Sequence, residues 1–194
     1  MVASGSTPTA DKMFSGSGEI PFIKVYNLTF DGSLNFANKP TFVSRQTHLN
    51  RLGRSRTYPG DVLMNIVGPP LGKVSIVPEE YPEWNINQAM VVFRPSSGLE
   101  SRFLSHVLRN IDTQKRLQKT AKATAGQFNL AVTTCRALAL VLPPLAEQRR
   151  IVAEIERRLS VVSELEKLVE ANLVRAERLR QAILRRAFEG KLMA

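Results

Sequence analysis

The chain has 194 residues, of which 43% are hydrophobic, which is enough for one globular domain and excludes a chain that is disordered throughout. Its only cysteine, Cys135, excludes an internal disulfide and fits a reducing cytosol, so we expect a cytoplasmic protein. The longest apolar run, residues 137–142, predicts a strand and is too short to span a bilayer. The start of the chain lacks the pattern of a signal peptide.

The formal net charge is +10, and it is divided unevenly along the chain. Residues 1–143 carry +7, whereas residues 144–194 carry +3. A basic cytosolic domain points first to nucleic acid, because neutralising phosphates releases counterions and supplies most of the non-specific affinity. The alternative is a basic protein whose charge only aids solubility.

The first part of the chain predicts a lead-in, a strand and turns. Residues 1–18 are rich in Ser, Gly, Thr and Pro, which is typical of a flexible segment. The apolar, β-branched run Ile20–Val25 predicts a strand. Asn27 and the pair Asp31-Gly32 then predict turns.

A polar, arginine-rich stretch follows at residues 44–58, and it predicts a surface loop with a short helical piece. Arginine is the side chain best able to bond the O6 and N7 atoms of guanine together, and it also binds phosphates. We therefore expect either a DNA contact or a solvated loop here, and the sequence favours neither. The candidate residues are Arg45, Arg51, Arg54 and Arg56.

The middle of the chain predicts three strands. Val62–Val67 and Lys73–Val77 flank a tight turn at residues 68–72 and are expected to form a hairpin-like pair. Ala89–Arg94 is a third strand. Lys73, at the start of the second strand, is a further candidate for contact with the DNA backbone.

Residues 101–119 have apolar side chains at helical spacings and predict one amphipathic helix with a face in the core. Residues 123–130 are small and polar with a glycine, so we expect a loop. A basic helix end that leads into this loop predicts a DNA-binding edge, because lysine binds phosphates and Gln or Asn can read adenine. The alternative is a charged helix face with an ordinary connection. The candidate residues are Lys115, Arg116, Lys119, Lys122, Gln127 and Asn129.

The sequence offers few residues for catalysis or metal binding. His48 and His106 are the only histidines, and with one cysteine they cannot form a zinc cluster. Residues 68–73 (GPPLGK) lack the spacing of a phosphate-binding loop, and no helix follows them. We therefore expect a binding protein that is not an enzyme and has no metal or cofactor of its own.

The last quarter of the chain predicts one long helix. Pro143 and Pro144 precede it, Gly190 follows it, and no proline or glycine lies between them, as expected for a helix start and end. Glu147 lies in the first turn, where the helix dipole favours an acid. The predicted helix has roughly 45 residues and a length on the order of 65 Å.

Apolar residues recur along this helix every seven positions, with a second apolar position three or four residues later. Sustained heptads predict a coiled coil. Because a domain of about 140 residues is too small to cover such a helix, we expect a partner helix from a second copy or from another protein. The alternative is a surface helix packed on its own domain. The predicted seam consists of Ile155, Leu159, Val162, Leu165, Val169, Leu173, Ala176, Leu179 and Ile183.

The two ends of the helical segment resemble a known family. The runs LALVLPPLAEQRRIVAEIE (residues 138–156) and LRQAILRRAFEGKL (residues 179–192) are similar to the linker helix of the specificity subunit of type I restriction–modification systems. Upstream runs occur in the order expected for that family. These runs are GEIPFIKVYNL, YPGDVLMNIVG, NINQAMVVF and TAGQFNLAVTT.

The resemblance implies an α+β fold with a small, β-rich mixed target recognition domain over residues 1–143. One long helix over residues 144–194 follows and forms an antiparallel coiled coil with a partner helix. Each such domain reads one half of a bipartite double-stranded DNA target, and the helices set the spacing of the halves. A full subunit usually has two domains and two helices, so this chain is a half-sized subunit or a fragment. A half-sized subunit is expected to form an antiparallel homodimer and to bind an inverted repeat.

The resemblance also implies partners for the chain. The subunit itself performs no chemistry. It recruits an adenine-specific DNA methyltransferase subunit, which binds S-adenosylmethionine and docks on the helical region, and a restriction subunit that translocates DNA. A hypothesis from another class is a non-catalytic coiled-coil scaffold or inhibitor protein with incidental basic charge. A third is a nuclease or methyltransferase in its own right, against which the missing motifs argue.

Overall fold

The computed structural model describes residues 1–124 and 126–191. The chain divides into two compact units, Met1–Arg149 and Arg150–Ala194. In the described part of the chain, all strands belong to the first unit, and the second unit is helical.

The strands of the first unit are short, at two to four residues each. In chain order they are β1 (Val2–Ser4), β2 (Met13–Ser15), β3 (Ile20–Ile23), β4 (Thr41–Val43), β5 (Arg56–Thr57), β6 (Val62–Asn65), β7 (Val67–Gly68), β8 (Val74–Ile76), β9 (Trp84–Ile86), β10 (Met90–Phe93), β11 (Lys122–Thr124) and β12 (Gln127–Asn129).

Four short α-helices and one long one are described, together with single 3-10 turns at Ala10–Lys12, Val25–Asn27 and Gly53–Ser55. None of the described helices is both long enough and apolar enough to cross a membrane. The α-helices are α1 (Arg45–Asn50), α2 (Ser101–Arg109), α3 (Ile111–Lys119), α4 (Val132–Arg136) and α5 (Leu145–Phe188).

The described strands form three sheets. A four-stranded antiparallel sheet has the order β1-β10-β6-β8, and a five-stranded sheet has the order β2-β4-β3-β9-β5, in which only β3 and β9 are parallel. A three-stranded antiparallel sheet has the order β11-β12-β7. The pairing of β6 with β8 confirms the predicted hairpin-like pair around residues 68–72.

The core follows from the alternation of side chains along the strands of the four-stranded sheet. In β6, Val62 and Met64 join a buried cluster with Leu104 and Leu108 of α2. Leu63, between them, joins a second cluster on the other side, to which β9 and β4 of the five-stranded sheet contribute. The four-stranded sheet is therefore buried on both faces, which explains why β6 and β10 are apolar at every position except Asn65.

The predicted flexible lead-in at residues 1–18 was wrong. Val2 lies opposite Phe93 in the pairing of β1 with β10, and Met13 lies opposite Val43 in the pairing of β2 with β4. The composition of the segment is polar, but pairing with distant strands satisfies its backbone groups and overrides the local preference.

The predicted single helix over residues 101–119 was also wrong, because it is broken at Asn110. Asn110 has ψ 135°, outside the helical region, and its Oδ1 accepts hydrogen bonds from the backbone N–H groups of Asp112 (2.9 Å) and Thr113 (3.4 Å). The asparagine thus ends α2 and caps the start of α3, the role for which its short side chain is best suited.

The apolar run at residues 137–142, which was expected to be a strand, has no regular structure and follows the short helix α4. Val141 is 88% exposed, so it is not packed as a strand residue of a core sheet would be. The run precedes two prolines, which cannot donate to a strand ladder.

The long helix is confirmed, because α5 covers 44 residues from Leu145 to Phe188. Ion pairs three or four residues apart line it. Glu154 precedes its partners Arg157 and Arg158, the order that the helix dipole favours, whereas Arg185 precedes its partner Glu189. Residues 192–194 of the predicted segment 144–194 lie outside the described residues.

Gln148, in the first turn of α5, is fully buried and satisfies three backbone groups of the first unit. Its Oε1 accepts from the N–H of Glu100 (2.9 Å), and its Nε2 donates to the carbonyls of Gly98 (2.9 Å) and Pro143 (2.8 Å). A buried amide with this many partners holds distant segments together, because each lost bond leaves a buried polar group unpaired.

Replacing Gln148 by Met keeps the volume of the side chain but removes all three hydrogen bonds. We expect the free energy of unfolding to fall by about 1–3 kcal/mol, measured by urea denaturation with the fluorescence of the single tryptophan, Trp84, as the signal. The exposed Gln181, on the same helix, is the control, and Gln181→Met should change stability by less than about 0.5 kcal/mol. Equal stability of the two variants would contradict this role.

Candidate nucleic-acid interface

The predicted arginine-rich stretch folds as α1 followed by a 3-10 turn and β5, which confirms the expected loop with a short helical piece. Ser44 caps α1, because its Oγ accepts from the N–H of Thr47 (3.2 Å). Arg45 forms an ion pair with Glu83 at 3.5 Å, and Arg56 donates from Nη2 to the carbonyl of Leu49 (3.1 Å). These two arginines are therefore partly engaged by the protein itself.

The remaining arginines of this stretch, Arg51 and Arg54, are exposed. They form no ion pair within the described part of the chain. Exposed guanidinium groups are available for phosphate or guanine. We call Arg45, Arg51, Arg54 and Arg56 the arginine group. Arg56 lies on β5, the edge strand of the five-stranded sheet, and the other three lie on α1, at its end and in the 3-10 turn that precede this strand.

His48 fixes α1 to this sheet and was missed as a positioning residue. Its ring is fully buried, and its Nδ1 meets the side chain of Asn85, whose Oδ1 accepts from the ring when the amide nitrogen donates to Ser55 Oγ (3.0 Å). Burial lowers the pKa of His48, and Glu83, at 3.5 Å from Nε2, opposes that shift. The ring is therefore neutral at pH 7 and supports the arginine group by packing and hydrogen bonding rather than by charge.

The second group of predicted residues begins on α3. Lys115, Arg116 and Lys119 are exposed, whereas Leu117 between them is buried in the core. None of the three cations forms an ion pair with an acidic side chain in residues 1–124 and 126–191. The helix end is thus a patch of uncompensated positive charge.

The predicted loop at residues 123–130 was wrong, because residues on either side of Ala125 form a β-hairpin. Ala125 itself lies outside the described residues. Gly126 has φ +77°, a conformation that favours glycine in tight turns, and a glycine between two short polar runs was the available signal. Strands of three residues are too short for alternation to be read from the sequence.

The hairpin gives the predicted residues a common face. Lys122 lies directly opposite Asn129 in the register, and Gln127 lies two residues before Asn129 on the same strand. Since side chains alternate along a strand, these three point to one side and Phe128 to the other. All three are exposed. We call Lys122, Gln127 and Asn129 the polar hairpin face.

The hairpin is attached to the core through β7. Phe128 lies opposite Gly68, Asn129 lies opposite Val67, and the N–H of Leu130 donates to the carbonyl of Ile66 (2.8 Å). Only two residues separate the end of α3 at Lys119 from the start of β11 at Lys122, so the cations of α3 and the polar hairpin face lie on consecutive elements of the chain. The arginine group lies on another sheet, and no described strand pairing joins the two.

A further residue, Asn65, shapes this region and was missed. Asn65 is buried, and its Nδ2 donates to the carbonyls of Val67 (3.1 Å) and Pro70 (2.8 Å) while its Oδ1 accepts from the N–H of Lys73 (2.7 Å). Asn65 thus fixes the loop between β7 and β8. The Nζ of Lys73, the remaining predicted contact, lies 5.4 Å from the ring centre of the exposed Phe30, close enough for a cation–π interaction.

Residues 1–173 match the family described as the type I restriction modification DNA specificity domain. The chain belongs to this family. Within the described residues, no group of three or more His, Cys, Asp and Glu side chains is placed to hold a metal ion.

Two curated relatives are similar in sequence to the chain. The specificity subunit of the type I restriction enzyme EcoBI from Escherichia coli is 30% identical over 178 residues, which are 90% of this chain and 36% of that protein. The StySPI specificity subunit from Salmonella potsdam is 34% identical over 99 residues, 51% of this chain and 21% of that protein. The chain therefore spans between a fifth and two fifths of these relatives.

Solved structures share the fold. A chain from a structure of an assembled type I restriction–modification system has a TM-score of 0.76 at 23% identity, covering 98% of this chain and 44% of that chain. The HsdS subunit from Thermoanaerobacter tengcongensis has a TM-score of 0.62 at 24% identity, covering 99% and 43%. These similarities confirm the predicted α+β architecture with its long C-terminal helix.

The environment of His48 generates a prediction about pH. Its pKa is expected to lie below the ordinary value of about 6.5, so the folded state binds a proton less readily than the unfolded chain. The free energy of unfolding should then decrease as the pH falls through 6.5. NMR titration of the two histidines measures the pKa of His48 directly. Glu83→Gln, which removes the opposing carboxylate, should lower the pKa of His48 further, whereas a value above 6.5 in either protein would refute the assignment.

Proposed function

We propose that the chain is the DNA-reading and spacing part of a type I specificity subunit. Residues 1–143 bind one half of a bipartite double-stranded DNA target, and the helix of residues 144–194 sets the distance to the other half. The observation that carries this proposal is the family match over residues 1–173, which includes both the domain and most of the helix. The specificity subunits from E. coli and Salmonella support it.

The chemistry of the exposed surface supports DNA as the ligand. The α3 cations neutralise phosphates, and the polar hairpin face offers two amides that can read adenine N6 and N7. β11 is the edge of the three-stranded sheet away from β7, so it is the strand of the hairpin that is open to the DNA. The arginine group and Lys73 provide further contacts to the backbone or to guanine.

The exposed apolar side chains of α5 support a partner helix. Ile155, at the start of the seam, is half-buried. The large apolar seam residues from Leu159 onward range from 47% exposed at Ile183 to 61% exposed at Leu179, although apolar side chains at this density are normally covered. The proposed partner is a second copy of the chain in the antiparallel direction. Two-fold symmetry then places two identical domains on an inverted repeat with an unread spacer.

We assign DNA methylation and DNA translocation to other subunits of the complex. An adenine-specific methyltransferase subunit, which holds S-adenosylmethionine, docks on the helical region, and a restriction subunit that translocates DNA joins the complex. This chain supplies sequence selection and performs no reaction itself. It acts in the cytoplasm, where the target DNA and these subunits meet.

Lys119→Ala tests the phosphate contacts. Loss of one phosphate contact should weaken binding to all duplexes to a similar extent and reduce the slope of log K against log salt by about one. Lys167→Ala is the matched control, because Lys167 lies on α5 and pairs with Glu164 (2.8 Å). Binding is measured by fluorescence anisotropy from low to moderate salt, after selection of the preferred duplex from a random pool.

Three results would count against this reading. An unchanged salt slope in the Lys119 variant would remove that residue from the interface. Binding of the wild-type chain to a protein partner, insensitive to salt, with no duplex enriched even when the methylase is present, would favour the scaffold or inhibitor instead. Binding of S-adenosylmethionine by the isolated chain would support a methyltransferase.

Ile155→Asp and Val162→Asp test the seam. Each puts an unpaired charge into an apolar interface, which costs several kcal/mol, so each variant should be a monomer by sedimentation equilibrium while the wild type is a dimer. Gln181→Asp is the control, since Gln181 lies outside the seam and is exposed. Dimers in both seam variants would refute this pairing.

A further inference from the structure

The face of the hairpin opposite the polar hairpin face forms a shallow cavity. Pro69, Pro70, Leu71, Gln118 and Phe128 line it, and its volume is about 260 Å³. We call these five residues the apolar seat. Four of them are apolar, and the fifth contributes a single amide group.

The apolar seat contains a large aromatic side chain that is half-exposed to solvent. Phe128 is 47% exposed and stands between Gln127 and Asn129 on β12. A single exposed apolar side chain is common on protein surfaces. A concave surface that combines an aromatic ring, two prolines and an exposed amide is characteristic of a binding site.

The wall of the seat is held in place by the buried Asn65. Its Nδ2 donates to the carbonyl of Pro70 (2.8 Å), and its Oδ1 accepts from the N–H of Lys73 (2.7 Å), so both ends of the loop are fixed. A wall that is already ordered costs less conformational entropy when a ligand binds. The seat is therefore able to discriminate between ligands of slightly different shape.

The charge around the seat indicates the ligand. Lys115 and Lys119 lie three residues before and one residue after Gln118 on α3, both exposed and without an ion pair in the described part of the chain. An apolar seat flanked by free cations complements a polyanion that carries an apolar group. The C5-methyl of thymine, exposed in the major groove between two phosphate backbones, is such a group.

We infer that the apolar seat binds the methyl group of a thymine in the target duplex, with Phe128 as its specificity-determining residue. The inference rests on the proposed function, since it requires that the domain binds DNA. The Gln118 amide has no described hydrogen-bond partner and is available for N6 and N7 of the adenine in the same base pair.

Replacing thymine by deoxyuridine tests the inference without altering the protein. Each thymine of the selected half-site is replaced in turn, which removes only a methyl group. At one position, binding of the full chain should weaken about fourfold, as expected for the loss of one buried methyl group. The other thymines should show no change.

Protein variants identify the seat as the site of this effect. With Phe128→Ala, the ratio between the thymine and deoxyuridine duplexes at that position should fall to one, while the salt slope stays the same. With Phe128→Leu, which keeps an apolar contact, the ratio should be retained. Phe14→Ala is the matched control, because Phe14 is equally exposed (48%) but lies on β2; it should behave as the wild type.

The outcomes separate the two proposals. If the wild type selects no duplex, the proposed function fails, and this inference fails with it. If the wild type selects a duplex but no thymine is sensitive to loss of its methyl group, or if Phe128→Ala keeps the sensitivity, the inference alone is overturned. Loss of methylase assembly in Phe128→Ala with unchanged DNA selection would also overturn it and assign the seat to a protein partner.

Discussion

The rest of the structure depends on what covers the apolar side chains of α5. Val169 and Leu173 are 58% and 60% exposed, and burying a side chain of this kind stabilises a protein by roughly 1.5–3 kcal/mol. Ion pairs such as that of Glu164 with Lys167 contribute only a few tenths of a kcal/mol each. Charges therefore keep the helix soluble, but they do not replace burial of its seam. This imbalance is the reason for proposing a partner helix, and in that proposal the identity of the partner decides how many DNA specificity domains one assembly carries.

The first unit holds the exposed polar side chains of the hairpin on a buried base. The strand β6 is buried on both faces, and the chain continues through Ile66 into β7. β7 pairs with β12, the second strand of the hairpin. The hairpin therefore extends the central strand of the core. Exposed residues on β11 and β12 can change without loss of core packing, while their position stays fixed by pairing with β7.

The sequence predicted the elements that are determined by residues close together in the chain. The long helix was found because 44 consecutive residues favour a helix and prolines and a glycine flank it, and the β6–β8 pair was found from its turn. Non-local pairing was not predictable, so the polar segment at residues 1–18 was misjudged. Asn110 was read as one more helical residue, because the apolar spacing on both sides hides a cap. The predicted cations and amides were chosen by residue type, and only the register of β11 with β12 shows that Lys122, Gln127 and Asn129 share a face.

The proposed DNA contacts of the hairpin depend on that register. A slip of one residue would exchange the two faces of β12, turning Phe128 outward and both amides toward the apolar seat. Short strands specify their register weakly, so other contacts must fix it. Gly68, opposite Phe128, has no Cβ, and a Cβ at this position would collide with the backbone carbonyl of Pro70. The close approach of the loop to β7, which Asn65 stabilises, is therefore possible only with glycine at this position, and it fixes the strand on which β12 aligns.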